Sequence, residues 1–132
     1  MNYFLDTDIC IYYLNGESVV VDGLNNLSPD RVKIPAIVVA ELIEGALATS
    51  HVKHSLAVIE KFYSAFEIVS FNQECAICYG RIRHYLRGKG TMIGPNDLII
   101  AATVLANHGT LITHNTKEFN RVPNIKVQDL FF

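Results

Sequence analysis

The chain has 132 residues, half of them hydrophobic and 18% charged, which excludes a disordered chain and favours a single domain over residues 1–132. Its formal net charge of -2 excludes a protein that coats nucleic acid through its overall charge. Three cysteines, an odd number, argue against a disulfide scaffold. The apolar run at residues 98–106 is too short to cross a bilayer, and the N-terminus does not resemble a secretory signal. We therefore expect a cytoplasmic protein without a membrane partner.

In the first half of the chain, short apolar runs alternate with helical patterns. Residues 2–5 form an apolar run that stops at Asp6, and residues 32–34 form a second run, so both are predicted strands. Asp8 is predicted to cap the first helix, and Ser50 the last helix of this half. The predicted helices of this half cover residues 9–14, 19–27, 37–47 and 51–65.

The same alternation continues in the second half. Asn72 is predicted to cap a helix that runs to Arg87, where glycines end it. Pro95 suits the start of the next helix, and Gly109 marks its end. The predicted strands of this half cover residues 66–71, 110–113 and 124–127.

Strands separated by helices of this length favour an α/β fold in three layers. We expect a central, mostly parallel sheet of four to five strands with helices on both faces. Sheets of this kind bind their ligands at the carboxyl ends of the strands. Candidate functional residues are therefore those that follow the predicted strands or begin the helices at that edge.

Three acidic residues are candidates for this edge. Asp6 ends the first strand, and an unpaired buried carboxylate is costly unless it faces a cation. Asp97 lies in the first turn of a helix that continues with the apolar residues 98–102, so we expect this turn to point at the sheet edge. Glu41 lies in the middle of a predicted helix, on a side shared with Val38. A glutamate on an apolar face usually has a partner.

Polar residues also follow the predicted strand at residues 110–113. Thr113 ends that strand, Asn115 comes two residues later, and Glu118 follows one helical turn further on. A set of oxygen ligands without an organising histidine or cysteine suits Mg²⁺ or Mn²⁺ and argues against zinc. Clusters of this kind are common in nucleases, where metal ions assist the hydrolysis of phosphodiester bonds.

A local basic segment contrasts with the slightly negative net charge. Residues 75–96 contain no carboxylate, and a local run of cations can bind phosphates even when the whole chain is acidic. The alternative is an ordinary solvated helix face. The candidates for contact with the phosphates of a nucleic acid are Arg81, Arg83, Arg87 and Lys89, together with Thr113 near the acids.

Four segments, in order and over nearly the whole chain, resemble the motifs of PIN-domain proteins. The first is Met-Asn-Tyr-Phe-Leu-Asp-Thr-Asp-Ile at residues 1–9, and the second is Val-Val-Ala-Glu-Leu at residues 38–42. The third covers residues 93–102 and the fourth covers residues 111–123. The sequences of these segments are most similar to those of the VapC toxins of prokaryotic toxin–antitoxin pairs.

The resemblance implies a PIN fold and an endoribonuclease that depends on Mg²⁺ or Mn²⁺. It also implies a homodimer, neutralisation by an antitoxin of the VapB type, and transfer RNA as one candidate substrate. The family's metal ligands carry over to Asp6, Glu41 and Asp97. The fourth position departs from the wider PIN pattern, because Asn115 stands where many members have an aspartate. Either Glu118 supplies the fourth carboxylate or Asn115 contributes a neutral oxygen, which leaves the number of metal ions open.

Two other functions are compatible with parts of the sequence. Asp6-Thr7-Asp8 after an apolar strand also fits a haloacid-dehalogenase-like phosphohydrolase, with Asp6 as nucleophile and Asp8 as acid and base. Against this, residues 9–11 begin a helix at once, where that family needs a flexible loop. The second alternative is a non-catalytic PIN-like binding module, and the intact set of three acids speaks against it.

Overall fold

The computed structural model describes residues 1–131, and its centre is a sheet of five parallel strands in the order β3-β2-β1-β4-β5. The predicted α/β fold, with a central parallel sheet and helices on both faces, is confirmed. Four of the five strands are shorter than their predicted runs, and β2 is one residue longer. The strands are β1 Tyr3–Leu5, β2 Val32–Pro35, β3 Glu67–Val69, β4 Thr110–Ile112 and β5 Lys126–Gln128.

Helices connect the strands and lie close to their predicted positions. A 3-10 turn at Pro29–Arg31 and the four-residue helix before β5 were not predicted. Because both are only one turn long, they leave no periodic pattern in the sequence. The helices are α1 Thr7–Leu14, α2 Ser18–Asn25, α3 Ala36–Leu47, α4 Val52–Tyr63, α5 Gln73–Lys89, α6 Pro95–Ala106 and α7 Thr116–Phe119.

The central strands are buried because they contact the core on both faces. Phe4 and Leu5 of β1 are almost completely buried, as are Leu111 and Ile112 of β4. This explains why their sequences are continuous apolar runs instead of alternating patterns. The helix packed most extensively against another is α5, which lies along α6.

The strand order reverses between β1 and β4. The chain builds β1, β2 and β3 outward in one direction, then crosses to place β4 and β5 on the other side of β1. In open α/β sheets the crevice at such a reversal, outside the carboxyl ends of the strands, is the common ligand site. Asp6 follows β1 and Thr113 follows β4, so both stand at this point.

Two of the three predicted helix caps are wrong. The cap of α1 is Asp6, whose Oδ1 accepts a hydrogen bond from the Ile9 N–H, and Asp8 lies exposed within the first turn. Helix α4 begins after His51, so Ser50 is one residue too early to cap it. The Asn72 prediction is confirmed, because the Asn72 side chain accepts a hydrogen bond from the Cys75 N–H.

The remaining sequence features are structurally ordinary. Cys10, Cys75 and Cys78 are free thiols, and Cys75 is buried within the first turn of α5. Within residues 1–131, no helix is both long enough and apolar enough to cross a membrane.

Candidate active site

Asp6 is a nearly buried carboxylate, with 4% of its surface exposed. The Thr113 hydroxyl donates to Asp6 Oδ2 at 2.5 Å, and the Ile9 N–H donates to Asp6 Oδ1 at 2.9 Å. Burial, with smaller contributions from the charges of Asp8 and Glu41, raises the pKa of Asp6 to about 6 despite these two bonds. Asp6 is therefore held rigidly in a place where its negative charge is poorly compensated.

Asp97 and Glu118 form a hydrogen-bonded pair across the start of α6. Burial raises the pKa of Asp97 to about 7, and the Glu118 side chain and its charge add to that rise. Burial alone would raise the pKa of Glu118 too, but hydrogen bonds from the Gly94 N–H and the Asn115 amide outweigh it and hold this pKa below its usual value. Of the two carboxyl groups, Asp97 is therefore the one that takes up a proton first as the pH falls.

The loop that precedes α6 lies beside both carboxyl groups at Gly94. Its N–H donates to Glu118 Oε1 at 3.0 Å. A Cβ atom added to Gly94 would lie 3.6 Å from Asp97 Oδ2 and 3.8 Å from Glu118 Oε1. The loop backbone therefore forms one wall of the acidic cluster.

Glu41 enters the cluster from α3. The Thr7 hydroxyl donates to Glu41 Oε1 at 2.6 Å, and the Asn96 amide donates to Glu41 Oε2 at 3.3 Å. Its charge contributes to the raised pKa values of both Asp6 and Asp97. Glu44, one turn later on α3, is exposed to solvent.

Thr113 and Asn115 join Asp6 to Glu118. The Thr113 hydroxyl accepts a hydrogen bond from the Asn115 N–H at 3.0 Å while it donates to Asp6. The Asn115 amide donates to Glu118 Oε2 at 2.7 Å. Thr113 is fully buried, so the predicted contact between Thr113 and RNA is wrong. This side chain holds Asp6 and has no surface left for a substrate.

The structure thus brings together all five residues predicted to be catalytic, which are Asp6, Glu41, Asp97, Asn115 and Glu118. Among the residues 1–131 that the structure describes, the carboxylates of the cluster accept hydrogen bonds from hydroxyl, amide and backbone groups, or from the other acid of the Asp97–Glu118 pair. Neutral donors orient a carboxylate without cancelling its charge. A cluster of this kind attracts a cation.

The chemistry of the donor set fits a hard divalent cation. In the described part of the chain, no three acidic, histidine or cysteine side chains are arranged so that they could hold a metal ion by themselves. Mg²⁺ keeps several of its waters and needs only one or two carboxylates from the protein. By the type of their donor atoms, the carboxylates of Asp6, Asp97 and Glu41 therefore suit Mg²⁺ or Mn²⁺ and not zinc.

His114 lies beside the cluster but faces the end of the chain. Its Nδ1 lies 3.0 Å from Asp129 Oδ2, and its ring contacts Phe131 with centroids 4.3 Å apart. The ring also meets Tyr12 of α1 edge to face, at 6.5 Å. These contacts fix the loop between β4 and α7 that carries Asn115.

The predicted RNA contacts on α5 are exposed but do not form one stripe. Arg83 donates to the Tyr79 hydroxyl at 2.8 Å and lies 5.9 Å from the centre of that ring. Lys89 lies 5.7 Å from the centre of the Tyr85 ring. At 3.6 residues per turn, the two pairs Arg83 with Arg87 and Arg81 with Lys89 fall on opposite flanks of the buried face of α5.

Sequence reasoning missed three residues of the cluster, which are Thr7, Gly94 and Asn96. Thr7 and Asn96 each stand next to a predicted acid, so their neighbours were the available signal. Neutral residues carry no charge pattern, however, and the bond between Asn96 and Glu41 joins residues 55 positions apart. Only the fold reveals that pair.

Comparison with known proteins agrees with the class that the fold and the site indicate, which is the PIN-domain proteins. Residues 3–125 match the family described as PIN domain. Ribonuclease VapC2 of Rickettsia felis is 37% identical over 131 residues, and the match covers 98% of each chain. The tRNA(fMet)-specific endonuclease VapC of Salmonella typhimurium is 34% identical over 129 residues, again with 98% of each chain covered.

Solved structures are similar over the same length. DNA-bound VapBC from Salmonella typhimurium matches with a TM-score of 0.93 and 34% identity over 98% of both chains. VapBC-1 from nontypeable Haemophilus influenzae matches with a TM-score of 0.92 and 34% identity over 100% of both chains. This chain belongs to the VapC ribonucleases of the PIN-domain family, and it is an RNA-cleaving enzyme. The phosphohydrolase alternative and the non-catalytic alternative are therefore not retained.

Proposed function

We propose that this chain is the endoribonuclease toxin of a toxin–antitoxin pair, and that it cuts cellular RNA with a divalent cation held by Asp6, Asp97 and Glu41. The observation that carries the proposal is the cluster of carboxyl groups at the reversal of the sheet. Two of these groups have raised pKa values because they are buried beside other acids. Keeping them together costs stability, and a bound cation would recover that cost.

The three acidic residues have different proposed roles. When bound, the cation activates water and stabilises the departing oxygen of the phosphodiester. Asp6 is held by Thr113 and the Ile9 N–H, so it presents a fixed oxygen to the cation. Asp97 would hold the cation as a carboxylate, and burial together with the neighbouring Glu118 raises the pKa at which it becomes one. Glu41 binds the cation or orients its waters.

Glu118 is our candidate for the fourth acidic position, in preference to Asn115. The Glu118 carboxylate contacts Asp97 directly, and its low pKa keeps it charged. The Asn115 amide is turned toward Glu118 as a donor. We expect Glu118→Gln to lower kcat far more than Asn115→Ala, since the second change leaves the carboxylate in place. Equal losses would contradict this assignment.

The direct test of the function is incubation of the purified protein with total RNA, with and without Mg²⁺, followed by mapping of the cut ends. We expect internal cuts that EDTA abolishes. Asp6→Asn and Asp97→Asn should lower the rate by several orders of magnitude. If both variants keep nearly full, EDTA-sensitive activity, the ligand assignment is wrong.

The products distinguish hydrolysis from attack by the RNA itself. Hydrolysis by a water molecule does not use the 2′-hydroxyl, so a substrate with a single 2′-deoxy nucleotide at the cut site should still be cleaved. A 2′,3′-cyclic phosphate end would show that the 2′-hydroxyl is the nucleophile, which contradicts the proposal. Transfer RNA is the first substrate to test, because one relative is a tRNA(fMet)-specific endonuclease.

The proposed partner is a VapB-type antitoxin, and the proposed form of the toxin is a homodimer in the cytoplasm. The similar structures are VapBC complexes, two of them bound to DNA. Expression of this chain alone should stop growth, and coexpression of its cognate VapB-type antitoxin should restore it. The Asp97→Asn variant is the matched control, because it should be harmless with or without the antitoxin.

We propose that the basic side chains on α5 contribute to RNA binding, with Arg83 and Arg87 on one flank of the helix and Arg81 and Lys89 on the other. Each phosphate contact should add to the salt dependence of the affinity. Arg83→Ala combined with Arg87→Ala should weaken binding and reduce the slope of log K against log salt by roughly 1 for each lost contact. An unchanged slope would identify these residues as an ordinary solvated face.

A further inference from the structure

Glu41 is gripped on both carboxylate oxygens by side chains from two other helices. Thr7, in the first turn of α1, donates to Oε1 at 2.6 Å, and Asn96, in the first turn of α6, donates to Oε2 at 3.3 Å. Each donor is the immediate neighbour of another acid of the cluster, Asp6 in one case and Asp97 in the other. The two helices that begin with the acids therefore also hold the third acid between them.

This arrangement holds the Glu41 carboxylate in a place from which charge repulsion would otherwise move it. A glutamate has three rotatable side-chain bonds, and the charges of Asp6 and Asp97 repel its carboxylate. Without a restraint, the side chain would swing away from them toward solvent, since Glu41 is only half-buried. Two hydrogen bonds, one to each oxygen, fix both the position and the plane of the carboxylate.

The chemical type of the two donors also matters. Lysine or arginine at either place would hold Glu41 more strongly, but its charge would compete with a cation for the carboxylate. A hydroxyl and an amide leave the negative charge available. We call Thr7 and Asn96 together the clamp. Each carboxylate oxygen keeps a second lone-pair direction, so the clamp leaves Glu41 able to bind a cation or to accept hydrogen bonds from its waters.

We propose that Thr7 and Asn96 are positioning residues that set the geometry of Glu41 in the cation site, an inference that rests on the proposed function of that site. They do not touch the substrate in this scheme. Their loss should weaken cation binding and lower kcat, while KM for RNA stays the same because the RNA-binding surface is unchanged. A purely structural role would instead lower the fraction of folded protein without altering the site of the folded molecules.

The test measures Mn²⁺ affinity by electron paramagnetic resonance in the absence of RNA, and then kcat and KM at saturating Mg²⁺. Thr7→Val and Asn96→Ala should each weaken Mn²⁺ binding roughly 10-fold, the low end for residues that orient metal ligands. Thr7→Ser restores the hydroxyl and should stay within about twofold of the unaltered protein in both measurements. Asn26→Ala, at the exposed end of α2, is the matched control and should change neither.

Glu41→Gln separates failure of the clamp from failure of the proposed function. If Glu41→Gln loses Mn²⁺ affinity and rate while Thr7→Val and Asn96→Ala lose neither, the clamp is wrong and the cation site stands. If Glu41→Gln itself changes nothing, Glu41 is not at the cation and the ligand set of the proposed function is wrong.

A double variant tests whether Thr7 acts through Glu41. In a background that already carries Glu41→Gln, adding Thr7→Val should cause little further loss, because the group it positions has been altered. A full additional loss would show that Thr7 acts by another route, which overturns the proposal. Asn96 is exposed, so Asn96→Ala gives the same test without disturbing the core.

Discussion

At the scale of single residues, the acidic cluster lowers the stability of the folded chain, and the rest of the fold compensates for that loss. Asp6 is nearly buried and has a pKa of about 6, although it receives hydrogen bonds from Thr113 and Ile9. A carboxylate held only for stability would have a lowered pKa and a cationic partner. Raised pKa values in a crevice are instead typical of functional sites. The same residue also caps α1, so one side chain serves both the fold and the site.

We expect Asp6→Asn to stabilise the metal-free protein at about pH 8. Between the unfolded pKa of 3.8 and the folded pKa of about 6, the folded chain keeps a proton that the unfolded chain releases. The stability of the unaltered protein therefore falls as the pH rises through this interval, by at most roughly 3 kcal/mol from this group. Asparagine keeps an oxygen for the Ile9 N–H and carries no charge.

The measurement is thermal unfolding in EDTA at about pH 5 and about pH 8. The melting temperature of Asp6→Asn should exceed that of the unaltered protein at the higher pH, and the gap should narrow at the lower pH. Asp8→Asn is the matched control, because Asp8 is exposed in the same helix turn. A variant that is less stable at the higher pH would contradict the cost assigned to Asp6.

At the scale of elements, Gly109 shows how closely the turn after α6 approaches the first strand. A Cβ atom at Gly109 would lie 2.3 Å from Cε2 of Phe4 and 3.2 Å from the backbone oxygen of Asn2. Phe4 is almost completely buried, so it has no space to move into. Gly109→Ala should therefore lower the free energy of unfolding by roughly 1–3 kcal/mol, as expected for overpacking in a core.

Gly80→Ala is the matched control for that change. Gly80 lies inside α5, and no atom lies within 4 Å of a Cβ built there. Alanine is the better helix former by roughly 0.5–1 kcal/mol, so this variant should be more stable than the unaltered protein. Urea unfolding of both variants measures the difference, and equal changes would show that the clash with Phe4 is relieved by other shifts.

Elements with a long, periodic pattern were predictable, and those decided by a single contact were not. The pattern of α5 and its Asn72 cap follow from the sequence because the local chemistry is complete there. Asp8 was chosen as a cap because it precedes the apolar run. The fold selects Asp6 instead, because Asp6 ends β1 and its side chain already turns back onto Ile9. Helix α7 is too short to show a period.

At the scale of the whole molecule, the site exists only because the strand order reverses. The acids at positions 6, 41, 97 and 118 meet through crossovers that no local pattern records. The sequence allowed their meeting to be predicted, because parallel strands align their carboxyl ends. It could not show that Asp97 is hydrogen-bonded to Glu118, or that Thr7 and Asn96 hold Glu41, since those contacts depend on side-chain placement.

Because the cluster concentrates negative charge, a divalent cation should stabilise the whole molecule, and the effect should depend on pH. At a free Mg²⁺ concentration about 100 times the dissociation constant, the expected gain is roughly 2.7 kcal/mol at about pH 8. Near pH 6 the gain should be smaller, since Asp97 with a pKa of about 7 and Asp6 with a pKa of about 6 then hold protons that must leave before the cation binds. Melting temperatures with Mg²⁺ and with EDTA, across this pH range, measure the effect. Asp97→Asn should lose most of the stability gained from Mg²⁺ at every pH. If the gain in the unaltered protein is the same at about pH 6 and at about pH 8, the ion binds elsewhere than at these carboxyl groups.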